Sequence, residues 1–182
     1  MMMQVVLALG LLVLTGAVVL LFAMMGELAS RVPPPEGDRP DQRVIPLDEA
    51  LVGNAPDDWP SSLAHLSSAS EGMLIVLSTV CNSCRRVAGQ LSPELGADGA
   101  RPFAVLISCP GRDRGEDFAQ QHALGRFPYF VDEHGDWVTR AFGVLSSPSA
   151  LLLREGRLES ALQFQDLTAL RAVSNGQVTR RS

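Results

Sequence analysis

Two cysteines separated by two residues, in Cys81-Asn82-Ser83-Cys84, carry the clearest chemical potential in this chain. At the first turn of a helix, such a pair puts its first sulfur among unsatisfied backbone N–H groups at the positive end of the helix dipole, which stabilises a thiolate. The thiolate is the reactive form, and such surroundings bring a cysteine pKa from about 8.5 into the range of about 3.5–7.5. A second thiol one helical turn further on is placed to attack a mixed disulfide and release the product. Cys81 is therefore expected as the nucleophile and Cys84 as the resolving thiol. The competing readings of the pair are half of a zinc site and an incidental, redox-dead pair. Zinc asks for four ligands, and only Cys109, His65, His122 and His134 could be added, none of them in a second close-spaced pair. No metal and no cofactor are expected.

The elements around the dithiol read as an α/β domain. Met73 to Leu77 is a short apolar run suited to a strand buried on both faces, and it ends just before Cys81. Ser83 to Leu91 then alternates at helical spacing. Phe103 to Ile107 repeats the buried-strand pattern, and Gly115 to Leu124 offers a second helix. This alternation implies parallel pairing. After the turn formers Asp132 to Asp136, a short helix is expected over Val138 to Phe142. Ser149 to Leu153 reads as a strand, Arg154 to Arg157 as a hairpin turn and Leu158 to Phe164 as the antiparallel partner. Asp166 to Val173 reads as a closing helix capped by Asp166. Pro148 stands at the mouth of a strand, where a residue without an N–H needs a reason, and a cis peptide in a tight turn supplies one.

The strand-CNSC-helix unit, the turn-helix-GVLSSPSALLL segment and the GRL hairpin occur in the order and approximate spacing of the thioredoxin superfamily. Val52-Gly-Asn-Ala-Pro56-Asp-Asp-Trp59 resembles the G-x-x-A-P-x-F opening of its membrane-tethered TlpA and MauD-like branch. The likeness runs from about Leu51 to Val173. It implies a thioredoxin-like fold, a central mixed sheet flanked by helices. It also implies that Pro148 is the cis-proline facing the dithiol and that Ser147 offers backbone hydrogen bonds to a bound substrate. The implied activity is thiol-disulfide exchange with protein thiol or disulfide clients. The resemblance links this task to maturation of a cytochrome c or a methylamine dehydrogenase-like enzyme, and it admits a membrane electron-donor protein as a further partner. Val80 replaces the usual aromatic before the first cysteine, Ser83 the frequent Pro within the motif, and Gly89 a kinking Pro. Ile75 stands where thioredoxins proper hold a buried acid. These departures set the chain apart from a general cytosolic thioredoxin.

Upstream, Val5 to Met25 carries no charge, and about 20 apolar residues suffice to cross a bilayer as a helix. A cleaved signal peptide is the rival, but its apolar region usually runs only about 7–15 residues after a basic start, and Met1 to Gln4 has no basic side chain. A retained anchor over residues 1–29 is expected, then a Pro-rich linker over 30–45, the thioredoxin-like domain over 46–176 and a tail over 177–182. The linker composition cannot bury a face. Arg31, Arg39 and Arg43 follow the anchor, and by the positive-inside rule they favour a cytoplasmic domain. The tethered relatives favour an extracytoplasmic one, and long domains translocate largely regardless of charge. We adopt the extracytoplasmic expectation.

At 182 residues and 46% hydrophobic content the chain accommodates one core. Its net charge of -5 and its 15 scattered basic residues, all arginine, leave no footprint for nucleic acid. Two other functions compete. Ser78-Thr79-Val80-Cys81 resembles the peroxide-binding Thr-x-x-Cys of a peroxiredoxin, although the Pro that pattern wants near position 74 is Leu. A metal chaperone or a redox-inert binding module on the same fold would be non-enzymatic. Cys109 is expected as a small buried hydrophobe, with a third redox thiol as its functional alternative. Trp59 and Trp137 are expected to pack, and His134 to be solvated.

Overall fold

The computed structural model describes residues 44–91 and 101–171, with residues 1, 2, 4, 10–12, 14–16 and 18 near the N-terminus. The chain divides into two compact units, Met1–Pro40 and Asp41–Ser182. In the first, the described residues from 2 to 18 are helical. Most of the expected spanning segment, the linker and the tail lie outside the described residues. No helix among the described residues is long and apolar enough to cross a membrane.

In the second unit six strands form one sheet: β1 (Ile45–Pro46), β2 (Gly72–Ser78), β3 (Phe103–Cys109), β4 (Tyr129–Glu133), β5 (Ser149–Arg154) and β6 (Arg157–Gln163). Their spatial order is β1-β6-β5-β2-β3-β4. β2, β3 and β4 run parallel, whereas β5 is antiparallel to β2, β6 to β5 and β1 to β6. The sheet is mixed, as the resemblance implied. Among the described residues the sheet is accompanied by the helices α1 (Ala64–Ser67), α2 (Asn82–Gln90), α3 (Arg112–Gln121) and α4 (Asp136–Phe142). Residues 167–171 are also helical.

The unbroken apolar runs of β2 and β3 follow from cover on both faces. Met73, Ile75 and Leu77 pack with Cys84, Val87 and Ala88 of α2, with Phe118 and Ala119 of α3, and with Leu167 and Leu170. Leu74 and Val76 point the other way, toward Leu63, Leu66 and the α4 residues Trp137, Val138, Ala141 and Phe142. The period of two along β2 thus sorts its side chains between two cores.

Several boundaries differ from the sequence expectation. α3 starts at Arg112 and ends at Gln121 rather than running from Gly115 to Leu124. Its first turn is polar and escapes a reading based on apolar periodicity. Asp132 and Glu133 finish β4 instead of belonging to the turn. Asp132 is buried, and its carboxylate accepts from the N–H of Trp137 at 3.0 Å and of Val138 at 2.9 Å, capping α4 from outside. β1 and the helical stretch from Ser61 to Ser67 carried no readable signal. The β5–β6 hairpin turns where expected, with Glu155 at φ 51 and Gly156 at φ 73, the two positive φ values of a tight hairpin turn. Asp166 does cap the closing helical residues, its Oδ1 accepting from Thr168 N at 2.7 Å.

Candidate active site

The dithiol sits at the carboxyl end of β2. The chain leaves the strand at Ser78, turns through Thr79 and Val80, and enters α2 with Cys81 as its N-cap in an extended conformation. The helix therefore begins one position earlier than its apolar pattern suggests, and Cys81 occupies the place where a side chain can accept from a free helical N–H. Its Sγ accepts from the backbone N–H of Cys84 at 3.2 Å. Arg85 braces the turn from the helix, donating to Thr79 O at 3.3 Å and to Asn82 Oδ1 at 3.4 Å. Sequence reasoning missed this brace, and its only signal was a long donor one turn beyond Cys81.

The two sulfurs differ in access. Cys81 is half-buried, whereas Cys84 is 0% exposed, and both are free thiols. Burial, with help from the neighbouring Cys81 sulfur, pushes the Cys84 thiol up to about 12, and the Ser78 backbone and the Ser147 hydroxyl pull in the opposite direction. The arrangement exposes one sulfur to a partner and seals the other behind it.

Opposite Cys81 stands the loop that leads into β5. The Ser147-Pro148 peptide is cis. The Cys81 thiol donates to the carbonyl oxygen of Ser147 at 3.6 Å. Ser149, the first residue of β5, is fully buried, and its hydroxyl donates to Ser146 O at 3.0 Å, tying the loop across Ser147 and Pro148. Cys81, Cys84, Ser147 and Pro148, singled out far apart in the sequence, thus meet at one end of the sheet. Val80 at 70% exposure and Leu145 at 78% are the exposed apolar side chains of the two segments that carry Cys81 and Ser147.

The other candidates lie elsewhere. Cys109 is buried at the end of β3, next to β4 and α3, where its thiol faces Asp132 O at 3.9 Å and burial raises its pKa. Trp137 is buried and stacks among Trp59, Phe130 and Phe142 while donating to Asp58 O at 2.8 Å. His134 and His65 are exposed, and His122 packs on Phe118 with its pKa lowered by burial and by Arg85. Among the described residues no three His, Cys, Asp or Glu side chains gather in a way that could hold a metal ion.

No protein-family model matches the chain, and a comparison with curated protein sequences finds no match. Solved structures do match. A putative thiol:disulfide interchange protein DsbE from Chlorobium tepidum superposes with a TM-score of 0.52 at 18% identity, over 70% of this chain and 96% of that one. A putative thioredoxin from Neisseria meningitidis superposes with a TM-score of 0.52 at 15% identity, over 72% of this chain and 93% of that one. With the strand order and the two-sided helical cover, these likenesses establish that the domain has a thioredoxin-like fold.

Proposed function

We propose that this chain is a membrane-anchored thiol-disulfide oxidoreductase whose domain works outside the cytoplasm on protein thiols or disulfides. The observation that carries the reading is the asymmetry of the dithiol. Cys81 is accessible and takes a hydrogen bond from the helix N-terminus, and Cys84 is sealed one turn behind it. In the reducing direction the Cys81 thiolate attacks a client disulfide, one client sulfur leaves, and Cys84 then displaces the other to leave a Cys81–Cys84 disulfide. In the oxidising direction the same steps run backwards. Ser147 and Pro148 would border the client chain as it lies against Cys81.

The finer assignments extend this reading. The uncharged run from Val5 to Met25 would be the anchor, and the residues up to about 45 the tether. The clients would be apoproteins in maturation of a cytochrome c or a methylamine dehydrogenase-like enzyme, with a membrane protein as electron donor. Insulin reduction by the full-length chain, measured beside peroxide consumption, tests the activity. Disulfide reduction without peroxide turnover is the expected result, and the reverse would make it a peroxidase. A reporter fused after Ser182 should be active only outside the cytoplasm. Cytoplasmic activity would reverse the sidedness in favour of Arg31, Arg39 and Arg43.

A further inference from the structure

Arginines elsewhere on the domain meet carboxylates: Arg101 pairs with Glu71, Arg112 with Glu133 and Arg140 with Asp58. Arg85, one residue after Cys84 on α2, does not. Its guanidinium donates to two neutral oxygens, Thr79 O at 3.3 Å and Asn82 Oδ1 at 3.4 Å. Among the described residues no Asp or Glu forms an ion pair with it. The side chain is exposed, so it offers an uncompensated positive charge to whatever approaches.

The two acceptors fix where that charge stands. Thr79 precedes Cys81 and Asn82 follows it, so bonds to both hold the guanidinium beside the turn that presents the Cys81 sulfur. A guanidinium carries five N–H donors in a rigid fork, and these bonds leave donors over for a carboxylate. The free N–H groups at the start of α2 add potential of the same sign. A neighbouring ionisable group, His122, has its pKa lowered by burial and by Arg85, so at neutral pH it contributes no charge of its own. The whole chain has a net charge of -5, and the positive spot at the dithiol runs against that sign. Val80, 70% exposed between Thr79 and Cys81, gives the spot an apolar edge.

We infer that Arg85 selects clients whose reactive cysteine is flanked by an acidic side chain, the carboxylate meeting the guanidinium while the client sulfur meets Cys81. The inference rests on the exchange function proposed above, with Cys81 as the attacking thiol, and it names the class of client segment. No contact joins the Arg85 side chain to either sulfur, so it is a specificity residue whose effect falls on the encounter with the client rather than on the exchange step. A rim charge of this kind changes the rate of association and its dependence on salt. The discrimination it gives is that of one exposed ion pair, a few-fold, and it fades as salt screens the pair.

The test uses the reduced full-length chain with Cys109→Ala in the background and two probe peptides of equal length. In each a central cysteine is joined by a disulfide to thiopyridine, with glutamates beside the cysteine in one peptide and lysines in the other. The Cys81 thiolate bonds to the peptide sulfur, the bond between the probe's two sulfurs breaks, and thiopyridone leaves with the electron pair, so its absorbance reports the rate. Each rate is divided by that of free mercaptoethanol with the same peptide, which removes the peptides' own difference in reactivity. The unsubstituted chain should prefer the acidic peptide about fivefold, the upper range for one exposed ion pair. Arg85→Gln should remove most of that preference, Arg85→Glu should invert it, and Arg85→Lys, which retains the charge, should keep it. Raising the salt from about 0.01 M to about 1 M should level the two rates. Loss of the turn brace alone slows both peptides alike, so the ratio between them separates recognition from bracing. The same ratio in Arg85→Glu as in the unsubstituted chain, or a preference lost equally in Arg86→Gln, would remove the role from Arg85 and leave the exchange function standing. Release from neither peptide by the unsubstituted chain would overturn the exchange function and this inference together.

Discussion

The Cys81 sulfur lies 3.6 Å from the carbonyl oxygen of Ser147, across 66 positions of sequence. The contact joins the turn before α2 to the loop before β5, and it leaves Cys84 on the inner side of both. A client can therefore reach one sulfur only.

That asymmetry predicts unequal trapping. Cys84→Ser keeps the accessible thiol and removes the group that releases the client, so mixed disulfides should accumulate. Cys81→Ser should form none, because the remaining thiol is fully buried. Non-reducing gels after acid quenching, with Cys109→Ser in both variants, make the comparison. Equal trapping by the two would contradict the assignment.

The raised Cys84 pKa gives stability a direction with pH. In the folded chain the thiol keeps its proton up to about 12, whereas the unfolded thiol releases it at an ordinary 9.0. Between these values the unfolded state binds fewer protons, so this group's contribution is whole below the lower value and declines as pH rises through the window. Urea denaturation of the reduced chain and of Cys84→Ala should differ by an amount that changes little below about pH 8.5 and drifts against the unsubstituted chain toward about pH 11. A constant difference over that range would place the thiol in a more open setting.

Asp132 should matter to stability rather than to exchange. Its buried carboxylate accepts from two N–H groups of α4, and Asp132→Ala strands both. The cost should be about 2 kcal/mol in chemical denaturation, the upper range for a helix cap. The rate of insulin reduction should stay unchanged.

Gly115 lies where α3 packs tightly against β3 and β4. A Cβ there would overlap the Val131 side chain and press on the Cys109 sulfur at 3.0 Å. Val131 is buried and β-branched, so it has little room to turn aside. Gly115→Ala should therefore lower stability by about 1 kcal/mol, with overpacking outweighing the gain in helix propensity. An increase in the unfolding midpoint would mean that α3 can shift on the sheet.

Much of this architecture was legible in local pattern. Unbroken apolar runs mark β2 and β3 because both faces of those strands are covered, and Glu155-Gly156 marks the hairpin because its backbone needs positive φ. The pair Cys81 and Cys84 declares its chemistry through spacing alone, since residues one helical turn apart share a face. Features built by partners distant in sequence left no such trace. α3 begins in a polar turn, β1 is a two-residue edge strand, and Asp132 looked like a turn former until its carboxylate met the N-terminus of α4. Resemblance could associate Pro148 with the dithiol, but no periodicity near either segment brings them together. Only the tertiary structure does so. β5 enters the sheet antiparallel to β2, with Ser149 opposite Val76, so the start of one strand lies beside the end of the other. Strand direction is a property of the assembled sheet, set by which faces are buried and how the chain returns, and neither segment encodes it alone.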